Sequence, residues 1–218
     1  MTRTSARTDI RALLGAPDDG TANVRPANSE INEWIDQAVI DITTRTHCYE
    51  YFVSTGFATV SGTDNYAFPS TIGATAVVTL AVKALIVTSS KTTSALRKVP
   101  PERIGHEEGV GPFYKWTEWA DNIFITPTPT AAFTIKPLVC LVGGCTTAGA
   151  IGGIPTEYHH LIPLYGLYKG LQNKGDYGRA TTVYQSYNQN LESTYQRVTR
   201  RNEQIVSLPE TKDAHVIT

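Results

Sequence analysis

Residues 28–46 read NSEINEWIDQAVIDITTRT, and this stretch carries the clearest helical pattern of the chain. Its apolar residues recur at steps of three and four, so a helix of 3.6 residues per turn gathers them on one side. They are Ile31, Trp34, Ile35, Ala38, Val39 and Ile42. Asn28 or Ser29 can cap the helix, and Glu33 lies near its start, where the helix dipole favours acids. One helix cannot bury such a stripe alone, so we expect partner helices elsewhere in the chain.

The partner helices are expected in the last third of the chain. Pro155 suits a helix N-terminus, and the residues up to Leu171 carry an apolar stripe, although Pro163 and Gly166 predict a bend. The segment 173–175 (Asn-Lys-Gly) predicts a turn. A second apolar pattern over residues 176–205 then predicts a last helix about 45 Å long.

Between these helical regions the chain changes to a two-residue alternation rich in β-branched and aromatic residues, which is typical of strands. The candidate strands are 52–53, 57–60, 66–68, 77–82, 85–87, 123–125 and 133–141. Residues 62–65 (Gly-Thr-Asp-Asn) predict a hairpin turn between two of them. The sequence therefore predicts a small antiparallel β module inserted between the helices.

The predicted fold class is α+β: an antiparallel helical bundle with an inserted small antiparallel β module and an extended C-terminal tail. The expected parts are a flexible N-terminal segment (1–27), the helical bundle (28–50 plus 154–206), the β module (51–147) and the tail (207–218). Residues 1–27 are largely polar, with one short apolar turn at Ile10, Leu13 and Leu14. A Gly-rich linker closes the β module.

Composition bounds the possible functions. The 218 residues include 19 Lys and Arg against 20 Asp and Glu, a balance that disfavours a dedicated nucleic-acid-coating protein. The sequence shows no signal peptide and no apolar run long enough for a membrane span, so we expect no membrane association. Cys48, Cys140 and Cys145 have no metal-site spacing and suit a reducing compartment.

A search for catalytic patterns returns no convincing constellation. His159 and His160 are the densest pair of ligand-type side chains, but neighbours on a helix point about 100° apart and cannot chelate one ion together. The chain has no HExxH, GxSxG or Walker-type motif. We therefore expect no enzyme activity, no metal and no cofactor.

The aromatic run Phe113, Tyr114, Trp116 and Trp119 leaves three interpretations open. It can be a stacking platform for sugars or single-stranded bases, a set of core residues on a pair of strands, or a set of anchors at a subunit interface. Core packing is the ordinary explanation for aromatic residues in strands.

The order of these segments resembles the adaptor (connector) proteins that join the portal of a tailed bacteriophage to its tail. Four local signatures carry the resemblance, over roughly residues 8–205. They are the helix Ser29–Ile42; Gly62, Tyr66, Phe68 and Pro69; Pro112, Phe113 and Tyr114 leading to Ile123, Ile125, Pro127 and Pro129; and Ile154, Pro155, Glu157, Tyr158 and His159. Pro163, Gly166 and the stretch 74–81 depart from the family pattern.

The resemblance implies a structural virion protein of the head–tail neck, assembled in the host cytoplasm. Such proteins form a ring, most often of twelve copies, that binds the portal, extends the DNA channel and docks the next neck or tail protein. Double-stranded DNA passes through the lumen without specific binding, and genome ejection uses the same channel. On this basis we expect the tail residues Leu208, His215, Val216 and Ile217 to bind the portal. The aromatic run is expected at a subunit or neck interface.

Two other classes remain open on the sequence. One is a different neck or tail part, such as a stopper, a tail-completion protein or a fibre-attachment subunit. The other is a carbohydrate-binding β module on a helical stalk, which the aromatic run suggests.

Overall fold

The computed structural model describes residues 1–16, 26–72, 75–76, 78–88, 93–104, 115–143, 151 and 154–206. Its α-helices are α1 (Arg3–Leu13), α2 (Asn28–Thr46), α3 (Leu161–Asn173) and α4 (Tyr177–Val206). Its strands are β1 (Glu50–Phe52), β2 (Phe57–Ala58), β3 (Asn65–Ala67), β4 (Thr71–Ile72), β5 (Thr75–Ala76), β6 (Thr79–Thr88), β7 (Thr93–Ala95), β8 (Arg97–Lys98), β9 (Lys115–Trp119), β10 (Asn122–Thr126) and β11 (Thr134–Leu141). Short 3₁₀ turns lie at Pro101–Arg103 and Thr156–Tyr158.

The chain forms two compact units, and the boundary falls within α2, after Ala38. The helical unit contains α1, the first part of α2, α3 and α4, whereas the β unit contains the rest of α2 and the strands. The coarse α+β prediction is therefore confirmed. The predicted helices at 28–46 and 176–205 correspond closely to α2 and α4.

Helix α1 lies inside the segment that the sequence predicts to be irregular. A capping box joins Thr2 and Ser5 at its start, and its buried apolar residues Ala6, Ile10 and Leu14 are spaced by four. The short apolar turn that the sequence suggests is thus one side of a helix. The sequence groups Leu13 with these apolar residues, but 49% of Leu13 is exposed because it points away from the buried side.

Helix α1 packs on α3 at Gly166 and Gly170, where the absence of a side chain lets α1 approach closely. A Cβ on Gly166 would lie 2.4 Å from Ile10 Cδ1, and one on Gly170 would lie 2.6 Å from both Leu14 Cδ atoms. Gly166, which the sequence flagged as a weakness of α3, therefore admits a neighbouring helix. Pro163 lies in the first turn of α3, where its missing N–H removes no intrahelical hydrogen bond.

Helices α3 and α4 are joined by the predicted turn, in which Gly175 has a φ of +78°. Tyrosines hold the two helices together: the ring centroids of Tyr165 and Tyr187 are 5.3 Å apart, and those of Tyr168 and Tyr184 are 4.7 Å apart. From the first pair to the second, the residue number rises along α3 and falls along α4, so the two helices are antiparallel.

Two main sheets build the β unit. The first has the order β1-β11-β6-β7, with β2 pairing the start of β11, and the second has the order β3-β10-β9-β8. Strands β4 and β5 form a small separate ladder. Side chains from both main sheets form one apolar core, in which Val82, Leu85, Ile135, Val139, Trp116, Ile123 and Ile125 are buried.

Three details of the β prediction need correction. Gly62 does occupy a turn, with a φ of +80°, but the strands on either side of it pair with different partners, so no hairpin forms there. The predicted strands at 77–82 and 85–87 are one strand, β6, which carries an irregularity opposite Leu138 and Val139. The module is also not wholly antiparallel, because β8 pairs with β9 in parallel.

Candidate interaction surface

The two tryptophans of the aromatic run point to opposite sides of β9. They are three residues apart, and side chains alternate along a strand, so Trp116 and Trp119 cannot share one face. Trp116 is fully buried and its indole Nε1 donates a hydrogen bond to Leu96 O at 3.3 Å. Trp119 is 61% exposed. The two rings therefore do not form one stacking platform, and core packing is correct for Trp116 but not for Trp119.

The side chains around Trp116 fix the register of β9. Lys98 Nζ lies 4.9 Å from the ring centroid of Trp116 and 2.7 Å from Glu118 Oε1. The other carboxylate oxygen of Glu118 accepts a hydrogen bond from Val82 N at 3.0 Å. Glu118, the residue before Trp119, is thus tied to β8 of its own sheet by one carboxylate oxygen and to β6 of the first sheet by the other.

Trp119 stands at a two-residue turn between β9 and β10. Asn122 pairs directly with Trp119, and the turn residues Ala120 and Asp121 have φ values of +47° and +62°. Positive φ at both central residues defines the type I′ turn, whose twist matches that of a hairpin. Asn122 Nδ2 donates to Ala120 O at 2.8 Å. A defined turn therefore presents an exposed indole to solvent.

Further apolar residues are connected to this turn by hydrogen bonds. Asp121 O accepts a hydrogen bond from Phe68 N at 2.9 Å, and Pro69 O accepts one from Thr79 Oγ1 at 2.6 Å. These bonds connect the turn, through Phe68 and Pro69, to the start of β6, where Val78 is 64% exposed. We call Phe68, Pro69, Val78, Trp119 and Asp121 the Trp119 corner.

A second exposed apolar area lies on the outer face of the first sheet. Phe52 on the edge strand β1 pairs directly with Leu138, which pairs directly with Ala84. Phe52 is 42% exposed, and Leu138 is half-buried. Sequence reasoning missed this area. The sequence feature that indicates this area is the unbroken apolar run at the end of β11, because such a run places apolar side chains on both faces of the strand.

Residues 195–200 of α4 form a further stretch without buried side chains. Thr194, before this stretch, is buried, whereas none of the side chains from Tyr195 to Arg200 is buried. This stretch carries Arg197 and Arg200.

The other residues of the predicted interfaces lie outside the described part of the chain. Phe113 and Tyr114 belong to this group, and so do the tail residues Leu208, His215, Val216 and Ile217. The Gly-rich linker falls mostly outside it as well, apart from Gly143, whose N–H donates to Thr43 Oγ1 at 3.0 Å.

The described cysteines are poor candidates for a nucleophile. Burial raises the pKa of both the Cys48 and the Cys140 thiol, so both are protonated at neutral pH. Among the described residues, no group of three or more His, Cys, Asp and Glu side chains is arranged to hold a metal ion. None of the described helices is both long and apolar enough to cross a membrane.

Comparisons with known proteins identify the family of this chain. No curated protein matches the chain. The model of the family described as SU10 adaptor protein matches residues 1–208. That match covers the helices, both main sheets and the Trp119 corner. The chain therefore belongs to the SU10 adaptor family, whose members are structural head-to-tail adaptor proteins of bacteriophages.

Proposed function

We propose that this protein is the adaptor that forms a ring under the phage portal, extends the DNA channel and docks the next neck or tail component. The family match over residues 1–208 is the observation that carries the proposal. In this proposal the ring contains one adaptor per portal subunit, which implies twelve copies for a twelve-fold portal. The protein acts as part of the virion neck and has no catalytic role.

In this proposal the helices α2, α3 and α4, within the segments 28–50 and 154–206, form the wall of the ring as an antiparallel bundle. The tyrosine contacts between α3 and α4 and the close approach of α1 to Gly166 support a rigid wall. The β unit, with Trp119 exposed at a defined turn, contacts neighbouring subunits or the next neck protein.

The charge pattern of α4 suits a channel through which DNA slides. Between Arg179 and Glu192 the helix has no charged residue, and its exposed side chains there include Thr181, Thr182, Gln185 and Gln189. Lys and Arg contacts to phosphates would add strong, salt-dependent affinity and hold the DNA. An uncharged polar face avoids that affinity, in agreement with passage of DNA without specific binding.

Tail residues 207–218 bind the portal in this proposal, by folding as they bind. The segment is polar, with the isolated apolar residues Leu208, Val216 and Ile217 as anchors. His215 adjoins two of these anchors. Such a segment has little opportunity to bury these side chains within its own chain.

A truncation tests this assignment. Removing residues 207–218 is expected to abolish portal capture in a pull-down while the melting temperature and the circular dichroism spectrum stay unchanged. A full-length variant with Leu208, Val216 and Ile217 changed to Ser keeps the length of the tail but removes its apolar side chains. This variant should lose portal capture as well. If the truncated protein still binds the portal as tightly as the full chain does, the tail is not the portal anchor.

A further inference from the structure

The outer face of the first sheet carries an exposed apolar area that suits the docking of another apolar surface. The row formed by Phe52, Leu138 and Ala84 points away from the core that the two sheets share, because the core residues of β11 are Ile135 and Val139. The end of this face near Cys140 is covered, since the thiol lies 3.3 Å from His47 O. The area around Phe52 remains open.

The Trp119 corner has the complementary features. It presents an exposed indole on a turn whose backbone is held by hydrogen bonds, so little conformational entropy is lost when the indole docks. The sequence from Asn65 to Val82 contains no charged residue. The corner therefore favours an uncharged, apolar partner surface, with one carboxylate, that of Asp121, at its tip.

The charges beside the two areas also match. Lys136 lies on the same face of β11 as Leu138, two residues away, next to the open apolar row. Asp121 is exposed at the tip of the Trp119 corner. Within the described part of the chain, neither Lys136 nor Asp121 forms an ion pair. The Trp119 corner therefore carries the acid Asp121, and the Phe52 face carries the base Lys136. Glu50, two residues before Phe52 on β1, forms an ion pair with Lys83 and leaves Lys136 as the charge available to Asp121.

These two areas cannot meet within one molecule. Trp119 belongs to the second sheet, and the outer face of the first sheet points away from that sheet. A contact between them must join two copies, with a different patch used on each. Contacts of this head-to-tail kind produce rings when the rotation closes.

We propose that the β unit provides the contact between neighbouring copies of this chain: the Trp119 corner of one copy docks on the Phe52–Leu138 face of the next, with Asp121 facing Lys136. This inference rests on the proposed ring and adds the residues that join its subunits. Aromatic side chains are typical anchors of such interfaces, and anchors on one side tend to meet anchors on the other.

Self-association of the full-length protein, measured by sedimentation velocity up to millimolar concentration, tests the contact. Trp119→Ala and Phe52→Ala are each expected to weaken it at least tenfold, because each removes one central aromatic anchor. Both side chains are exposed, so both variants should fold normally. Tyr177→Ala is the matched control: Tyr177 is 67% exposed on the helical unit, and its removal should leave self-association unchanged.

Mixing the variants gives the decisive result. The Trp119→Ala chain retains an intact Phe52 face, and the Phe52→Ala chain retains an intact Trp119 corner. An equimolar mixture should therefore form one-to-one dimers that cannot grow, although each variant alone is monomeric. Asp121→Lys and Lys136→Asp should each weaken association, and combining them in one chain should restore it.

Three results would overturn the contact: a Trp119→Ala chain that associates like the wild type, a mixture that stays monomeric, or a wild-type chain that is monomeric up to millimolar concentration. None of these results decides the adaptor role. That role depends on portal binding, which is measured separately.

Discussion

Gly56 and Gly62 illustrate how much one residue contributes to the β unit. Both adopt the left-handed backbone conformation, with φ values of +60° and +80°. Their surroundings differ: a Cβ on Gly56 would lie 2.3 Å from Ile135 O, whereas nothing lies within 4 Å of the corresponding position at Gly62. Gly56 is therefore required both for its backbone conformation and for the close approach of β11.

We expect Gly56→Ala to destabilise the protein much more than Gly62→Ala. Left-handed backbone costs a residue with a Cβ about 1–2 kcal/mol, and Gly62→Ala should lose about this much. Gly56→Ala should lose on the order of 3 kcal/mol or more, since the backbone of Ile135 must move as well. Urea unfolding of both variants measures the difference. Equal losses would mean that β11 does not approach Gly56 as described.

At this scale the sequence predicted the alternation of side chains for several strands, but it predicted neither strand β9 nor the surroundings of its side chains. The positions of Trp116 and Trp119 on one strand put them on opposite faces, which the spacing alone determines. Which face is buried depends on the second sheet, and that requires pairings between distant strands. Phe52 was recognised as a strand residue for the same local reason, whereas its exposure was not predictable from β1 alone.

Helix α1 shows why an element can escape sequence reasoning. Its sequence, RTSARTDIRAL, is polar on most of its surface, and only Ala6, Ile10 and Leu14 mark the buried side. Hydrogen bonds to other parts of the chain hold α1 in place: Arg11 donates to Pro26 O at 2.8 Å, and Lys174 donates to Leu14 O at 3.0 Å. Helix α2, by contrast, carries a stripe long enough to be recognised without its partners.

We expect Gly166→Ala to destabilise the helical unit by about 1–3 kcal/mol, because the new methyl group overlaps the fully buried Ile10. Gly178→Ala is the control. Gly178 is also a helical glycine, but nothing lies within 4 Å of its Cβ position, so this change should stabilise by up to about 1 kcal/mol. Thermal unfolding followed by circular dichroism measures both changes.

A double variant tests the cause of the destabilisation. Ile10→Ala removes the side-chain atoms that the new methyl group would meet, so the losses of Ile10→Ala and Gly166→Ala should not add. If they add fully, α1 does not pack on Gly166, and the description of α1 is wrong.

At the scale of the whole molecule, the order of segments was more predictable than their pairing. Helical periods, strand alternation and turn residues are local, and they placed α2, α4 and the strands β1, β2, β3, β6, β10 and β11 close to their observed positions. The short strands β4, β5, β7 and β8 and the strand β9 were not predicted. The sheet order β1-β11-β6-β7 joins strands from both ends of the β unit. Register between distant strands is set by burial on a shared core, which no local pattern reveals.

The interaction surface follows the same division. Local sequence predicted the aromatic run and the tail as interaction sites, whereas recognising the Phe52–Leu138 face required the pairing of β1 with β11. Family membership and the order of segments agree on one role for the molecule, that of a structural adaptor.

Native mass spectrometry of the full-length protein mixed with the intact portal ring of the same phage tests this role most directly. We predict a discrete complex with one adaptor copy for each portal subunit, formed without any additional protein. The adaptor role would be contradicted if the intact portal ring and the adaptor remained unbound when the adaptor is in excess over portal subunits.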